Sequence, residues 1–287
     1  MTDLRPWNGH HKAGTCIGEV WFQRRDASAP APALLLKLLY TSEPLSIQVH
    51  PDDAHARSVR LPHGKSEAWY ILDAARGARI GLGLKRALST ARLRASIDDG
   101  SIEELVQWRR VTRDDVISVP AGTIHAMGAG LVAVEVQQRS DTTYRLFDFG
   151  RQRKIHAADA VAAAHAGPAA AQPRTRGLSK KRTLLLASPH FVLERVELPP
   201  LSAWYLNASD ETWLFVIEGG ARVGDVSNEV GDVMFLASDQ ARIDVGRHGV
   251  KALVAYPGAD PMLDLLQSAE RVKELLPSDH AALEVAR

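Results

Sequence analysis

The sequence has little of several features that mark common classes of protein. It contains one cysteine, Cys16, among 287 residues, which excludes an intrachain disulfide framework and favours a reducing compartment. Aromatic residues make up 6% of the chain and no basic run is interleaved with them, so a nucleic-acid-binding surface is not indicated. A run of about 18 apolar residues is also missing, which argues against a membrane-spanning helix.

An excess of positive or negative charge is lacking as well, because 35 Lys and Arg residues nearly balance 34 Asp and Glu residues. This balance favours neither nucleic acid nor a membrane surface as a partner. The first residues do not have the apolar core of a secretory signal. We therefore expect a cytoplasmic protein, monomeric or homodimeric, whose partner is a small molecule.

The first half of the chain has the pattern of short β-strands with a small helical insertion. Helical spacing of apolar residues at about 86–110 predicts two short helices, the second capped by Ser101 with Glu104 as its capping-box partner. Alternating or apolar runs bounded by Pro and Gly predict strands, which lie at 33–40, 45–50, 67–72, 79–84, 116–119 and 131–138.

The second half repeats the strand pattern after a segment rich in Ala and Pro. This segment, 157–182, is the best linker candidate, and 261–287 has the apolar face of a C-terminal helix. Many short strands at close spacing are typical of antiparallel jelly rolls. We predict an all-β fold of two tandem jelly-roll barrels, an N-terminal domain at 1–156 and a C-terminal domain at 183–287.

Four nitrogen and oxygen donors on predicted strands form a candidate metal site. Gln48 and His50 project from the same side of one strand, because strand side chains alternate between faces. Glu67 begins the next strand, and His125 follows a turn that begins at Pro120. Two imidazoles, a carboxylate and an amide oxygen, with no thiolate, leave an open coordination position, as in a catalytic Zn²⁺ site.

One acidic residue in an apolar strand is a second candidate for chemistry. Glu135 lies in the Val-rich strand at 131–138, where a carboxylate is costly unless it is paired or faces a wet cavity. By alternation, Val134 and Val136 face one side of the sheet, and Ala133 and Glu135 face the other. A surface position at the end of the strand is the alternative.

Several strings of residues resemble a known family. The motif Pro120-Ala-Gly-Thr-Ile-His125 resembles the second metal motif of cupins. The strings 17–21, 45–53, 64–71 and 120–151 resemble type I mannose-6-phosphate isomerase in its short bacterial form. The similarity is dense from 45 to 151 and fades in the C-terminal half, where no His and Glu ligand set is found.

The resemblance implies a tandem cupin that holds one Zn²⁺ per chain on Gln48, His50, Glu67 and His125. It implies a phosphosugar substrate and the reversible isomerisation of mannose 6-phosphate and fructose 6-phosphate, for which we expect a cis-enediol. The C-terminal domain would have a structural role and cover the cavity.

The resemblance also implies roles for further residues. Arg145 matches the active-site arginine of the family, while Ser46 and Arg151 fall where the family contacts the phosphate. Three proton carriers remain open: hydroxide on the metal, Glu135, or Lys65 with a lowered pKa.

Two other functions remain as alternatives. Two His and one carboxylate also describe the facial triad of non-haem iron oxygenases. Gln48 in place of the first cupin histidine, and the 17 residues between His50 and Glu67, argue against an oxygenase. A non-catalytic sugar-binding cupin is the third reading, but a pure binding protein needs no open Lewis acid.

Overall fold

The computed structural model describes the backbone of residues 2–4, and residues 18–24 and 28–270 in full. These residues are mostly strands, and every named strand pair is antiparallel, as predicted for an all-β fold. The strands up to residue 147 are β1 Thr2–Leu4, β2 Glu19–Phe22, β3 Leu34–Thr41, β4 Ile47–Val49, β5 Glu67–Ala74, β6 Arg79–Leu84, β7 Val106–Arg110, β8 Val116–Val119, β9 His125–Met127, β10 Leu131–Gln138 and β11 Tyr144–Phe147.

Short helices and a second set of strands complete the described chain. The helices are α1 Asp53–Ser58, α2 Thr90–Asp98, α3 Ile102–Leu105 and α4 Ala157–Ala163. The later strands are β12 Arg176–Gly177, β13 Arg182–Ala187, β14 Phe191–Leu198, β15 Ala203–Ala208, β16 Thr212–Val223, β17 Val226–Glu229, β18 Val233–Leu236, β19 Asp239–Pro257 and β20 Leu266–Ser268. None of the helices among the described residues has the length and apolarity needed to cross a membrane.

Two five-stranded sheets face each other in the N-terminal half. The central sheet has the strand order β2-β3-β10-β5-β8, and the outer sheet has the order β11-β4-β9-β6-β7. Trp69 and Ala133 of the central sheet pack with Ile80 and Met127 of the outer sheet in one apolar cluster. The two sheets therefore form a closed jelly roll whose interior holds the predicted site strands.

The central sheet is buried on both faces, which explains why its strands are almost continuously apolar. Val134 and Val136 of β10 face the C-terminal half, where they pack in one cluster with Phe191, Trp213 and Phe215. Full burial of such side chains stabilises the fold by about 1.5–3 kcal/mol each. The C-terminal half thus supports the back of the central sheet, and its residues 186 and 188–191 also line a pocket that reaches Glu67.

A ten-stranded sheet curls around a second core in the C-terminal half. One residue of this half is joined directly to the start of β3. Glu211 accepts backbone hydrogen bonds from Ala33 and Leu34, and a third from the Trp213 indole. Burial raises the pKa of Glu211 despite these donors. This carboxylate is therefore a structural contact between the two halves.

The helical insertion was only partly predicted. Helices α2 and α3 are present, but Ser101 makes no side-chain cap bond at the start of α3. Residues 106–110 form strand β7 and not the end of a helix. Pairing with β6 outweighs the helical spacing here, and the Arg79 guanidinium lies 4.7 Å from the Trp108 ring centroid across that pair.

The segment predicted as a linker is structured where it begins. Helix α4 packs its buried Ala160 into the same cluster as Ile47 and Leu93. Alanine is the strongest helix former, which explains a helix in a low-complexity run. Strand β20 lies within the segment predicted as the C-terminal helix, and residues 271–287 are outside the described part of the chain. The domain boundaries themselves stay a prediction.

Candidate metal centre

Three strands bring the predicted ligands to one place inside the jelly roll. Gln48 of β4 is the Cα partner of His125 on β9, so these two side chains are neighbours in the outer sheet. His50 follows β4 directly, and Glu67 begins β5 in the facing central sheet. The site therefore bridges the two sheets, and its ligands come from rigid strand ends.

A glycine allows the two ligand-bearing segments to meet. The N–H of Gly64 donates to Asp53 Oδ1 at 2.7 Å, and the N–H of Lys65 donates to the carbonyl of Pro51 at 2.9 Å. A Cβ on Gly64 would lie 2.6 Å from the carbonyl carbon of Asp52. Backbone atoms cannot move aside cheaply, so glycine is required for Glu67 to approach His50.

Three side chains converge with the spacing of metal ligands. His50 Nε2 lies 3.3 Å from Glu67 Oε2, and His125 Nε2 lies 3.3 Å from Glu67 Oε1. Two ligands placed tetrahedrally at about 2.1 Å from one ion are about 3.4 Å apart. All three side chains are buried, and within the described residues no other group of three or more His, Cys, Asp or Glu side chains converges this way.

The two imidazoles present lone pairs to the carboxylate. His50 Nδ1 is 2.8 Å from the Thr142 carbonyl, and His125 Nδ1 is 2.8 Å from the Thr123 carbonyl. A carbonyl only accepts, so both Nδ1 atoms carry the proton and both Nε2 atoms are acceptors. This second contact is usual for metal-bound histidine.

The Nε2 atoms of the two histidines and the oxygens of Glu67, all hydrogen-bond acceptors, therefore face one another at the centre of the site. Burial, followed by the charge of Lys65, lowers the pKa of His50 to about 3, and burial lowers the pKa of His125. Both rings are thus neutral near pH 7. Neither oxygen of Glu67 has a hydrogen bond of good geometry. Burial of a carboxylate beside two lone pairs is costly without positive charge. The Lys65 ammonium supplies part of that charge from one side, and the three acceptors together fit a divalent metal ion.

Lys65 supplies a positive charge beside these ligands. Its Nζ lies 3.0 Å from Glu67 Oε2 and 3.2 Å from His50 Nε2. Burial alone would raise the pKa of Glu67, but Lys65 and the two histidines hold it well below its usual value. Burial alone would lower the pKa of Lys65, but Glu67 and Glu135 raise it. The charges of these two carboxylates thus count against Lys65 with a lowered pKa, one of the three proton carriers left open.

Gln48 is adjacent to the three ligands but presents its amide nitrogen to them. Its Nε2 lies 3.3 Å from His125 Nε2, while its Oε1 accepts from the Ser46 hydroxyl at 3.0 Å. Ligation through Oε1 requires a half-turn of the amide, which exchanges these two contacts. Amide orientation is assigned from hydrogen-bond partners, and a cation in the site would reverse that preference.

A cavity of about 550 Å³ opens next to these ligands. Its lining includes five of the predicted site residues and several that were not predicted. The predicted ones are Ser46, Gln48, Lys65, Glu135 and Arg145. The others with polar side chains are Glu19, Trp21, Lys37, Tyr40, Asp141, Thr143, Arg153 and His156.

Glu135 faces this cavity and not the protein surface. Its Oε2 accepts from the Trp69 indole at 3.1 Å, and its Oε1 lies 3.6 Å from Lys37 Nζ and 4.0 Å from Lys65 Nζ. Burial, with a contribution from Glu67, raises the pKa of Glu135 against the effect of the two lysines. A buried carboxylate with a raised pKa is suited to carry a proton.

Arg145 reaches the cavity, but Arg151 does not line it. Arg145 lies opposite Gln48 in the outer sheet, and its buried Nε has no hydrogen-bond partner. Arg151 pairs instead with Asp148 at 3.1 Å and lies 3.8 Å from Glu43. Arg153, which also pairs with Asp148, lines the cavity in its place. The predicted phosphate contact at Arg151 is therefore not supported.

Sequence reasoning missed Lys37, Arg153 and His156. Lys37 could have been found, because it is the one charged residue in the apolar run 34–41 and so resembles Glu135 in its own strand. The Nδ1 atom of His156 accepts a hydrogen bond from the backbone N–H of Arg145 at 3.1 Å. Nothing in its local sequence signals that contact.

No protein-family model matches this chain, but the chain is similar to several known proteins that share one name. It is 36% identical over 203 residues to a mannose-6-phosphate isomerase of Streptococcus mutans, covering 67% of this chain and 64% of that protein. It is 38% identical over 160 residues to mannose-6-phosphate isomerase ManA of Bacillus subtilis, covering 52% of this chain and 50% of that protein. The alignments thus span less than two thirds of these relatives.

The fold extends the similarity over more of the chain. A crystal structure of mannose 6-phosphate isomerase from Bacillus subtilis superposes with a TM-score of 0.70 at 26% identity. The superposed region covers 83% of this chain and 89% of the Bacillus subtilis chain. The predicted tandem cupin architecture is confirmed.

The Gly64 contact generates a first prediction. We expect Gly64→Ala to weaken the binding of a divalent metal ion, with Zn²⁺ as the probe, by about 10–100-fold, the range seen when groups that orient metal ligands are disturbed. Competition with a chromophoric chelator measures this affinity. Gly177→Ala is the matched control, because its added Cβ would meet no heavy atom within 4 Å. Equal zinc affinity in the two variants would contradict the role of Gly64.

Proposed function

Because the chain belongs to the type I mannose-6-phosphate isomerase family, we propose that it interconverts mannose 6-phosphate and fructose 6-phosphate with one bound Zn²⁺. The observation that carries this proposal is the group His50, Glu67 and His125, which presents three acceptors to one point beside a cavity lined with acid–base and cationic side chains. A cis-enediol formed in that cavity would connect the aldose and the ketose.

The proposed ligands of the zinc are His50, Glu67, His125 and Gln48, the last after rotation of its amide. Neutral imidazole and carboxylate donors without thiolate suit this metal, as they also suit iron. Bound Zn²⁺ supplies Lewis-acid chemistry, which lowers the energy of negative charge developing on substrate oxygens.

The basic end of the cavity favours an anionic substrate. Arg153 lines it together with His156 and Ser46. Because His156 Nδ1 accepts from the Arg145 N–H, its Nε2 carries the proton and donates. Guanidinium groups bind phosphate through paired, charge-assisted hydrogen bonds. We assign the sugar phosphate to this end, which an oxygenase with a neutral substrate would not need.

The acidic end suits the proton transfer between C1 and C2. Glu135 lines the cavity, its Oε2 is held by the Trp69 indole, and its Oε1 lies near the ammonium groups of Lys37 and Lys65. We assign Glu135 as the base that takes the proton from one carbon and returns it to the other. Lys65, on the same side, carries the second proton: it gives a proton to one substrate oxygen and takes one back from the other, so both transfers balance. Arg145 stabilises the negative charge of the enediolate.

Coupled turnover of mannose 6-phosphate together with metal analysis tests this function. We expect one zinc per chain, activity that a chelator removes and Zn²⁺ restores, and deuterium incorporated from solvent at C2. Glu135→Gln should lower kcat and the deuterium exchange together by about 10²–10⁴-fold, the usual contribution of a general base. Iron in place of zinc with oxygen consumption, or zinc at full occupancy without turnover, would contradict the proposal.

The two arginines that share Asp148 give a matched pair for the phosphate end. We expect Arg153→Met to raise the KM for mannose 6-phosphate by about 10–100-fold, because a hydrogen bond to a charged group contributes about 1.5–3 kcal/mol. Arg151→Met should leave KM unchanged, since Arg151 pairs with Asp148 without lining the cavity. Steady-state kinetics of both variants decide the assignment, which the reverse pattern would overturn.

A further inference from the structure

Lys37 is a buried lysine in the middle of an apolar strand, and the proposed chemistry does not yet use it. Only 3% of its surface is exposed. Its neighbours Leu36 and Leu38 face the C-terminal half. Strand alternation therefore directs Lys37 to the opposite face, and its side chain lines the cavity beside the metal ligands.

Lys37 belongs to a row of directly opposed residues across four strands of the central sheet. Trp21 on β2 is the Cα partner of Lys37 on β3. Lys37 is in turn the partner of Glu135 on β10, and Glu135 is the partner of Trp69 on β5. Opposed Cβ atoms lie about 4.5–5.5 Å apart, so each side chain of the row contacts the next.

The contacts along this row hold Glu135 from two sides. Lys37 Nζ lies 4.1 Å from the ring centroid of Trp21 and 3.6 Å from Glu135 Oε1. The Trp69 indole donates to the other oxygen, Oε2, at 3.1 Å. The aromatic face fixes the ammonium through a cation–π contact, and the ammonium then attracts Oε1.

The other carboxylates near Lys37 are weaker partners. Glu19 Oε2 and Asp141 Oδ1 each lie 3.9 Å from Nζ, but their side chains are 50% and 71% exposed. Solvent screens such pairs. Glu135 is the only buried carboxylate that the described residues place in an ion pair with Lys37.

A purely structural ion pair would have a different geometry. Buried pairs that serve only stability need close hydrogen bonds to offset the cost of removing two charges from water. The 3.6 Å separation is longer than a hydrogen bond. Glu135 Oε1 is thus attracted by charge but keeps its lone pairs for another partner in the cavity.

We propose that Lys37 is a positioning residue for the isomerisation, which holds the Glu135 carboxylate with Oε1 directed into the cavity. Its charge also offsets the repulsion between Glu135 and Glu67, the two buried carboxylates of the site. The inference rests on the proposed function, because it assigns Lys37 a part in the proton transfer that Glu135 performs.

The test combines Lys37→Met with Glu135→Gln in a double-mutant cycle on the zinc-loaded protein. We expect Lys37→Met to lower kcat and solvent-deuterium exchange at C2 by 30-fold or more, with KM changed less than threefold and zinc content unchanged. In the Glu135→Gln background, Lys37→Met should lower kcat no further, because a residue that acts through Glu135 has no effect without it. Lys251→Met is the control, since Lys251 pairs with Asp114 outside the cavity.

The possible results distinguish a failure of the positioning role from a failure of the proposed function. An unchanged kcat in Lys37→Met, a raised KM with unchanged kcat, or additive losses in the double variant would overturn the positioning role. Should Lys37→Met not fold, Lys37→Gln in the same cycle decides the question by the same criteria. If the unsubstituted protein shows no turnover with bound zinc, the proposed function itself is wrong.

Discussion

The structure of the site depends on one electrostatic constraint, a buried carboxylate that faces two imidazole lone pairs. Both histidines donate a hydrogen bond from Nδ1–H to a backbone carbonyl, so both Nε2 atoms are acceptors, 3.3 Å from the oxygens of Glu67. Such an arrangement is unfavourable by itself and becomes favourable around a divalent cation. Lys65 offsets part of this charge from one side.

The central sheet holds the side chains of this site in position. One face of the sheet carries Glu135 and Lys37, which line the cavity, and the other packs against the apolar core of the C-terminal half. Among the described residues, none of the second barrel lines the cavity beside Gln48, whereas Leu186 and Phe191 line a second pocket that reaches Glu67. Glu211 fixes the start of β3, the strand that carries Lys37.

The sequence allowed prediction of what depends on local pattern. Alternation placed Glu135 inside the jelly roll opposite to Val134, and the turn motif delivered His125 beside Gln48. The sequence could not indicate which of Arg151 and Arg153 lines the cavity, because the two lie two residues apart and the buried Asp148 binds both. Strand β7 was missed since only its pairing with β6 outweighs helical spacing. Long-range strand pairing, not propensity, decided the structure of residues 106–110.

Anomalous diffraction at the zinc edge, from crystals of the zinc-loaded protein, tests the central claim most directly. The account predicts one peak within about 2.0–2.2 Å of His50 Nε2, His125 Nε2 and a Glu67 oxygen, with the Gln48 amide turned to present Oε1. A peak at any other place, or no peak between these side chains at saturating zinc, would contradict it.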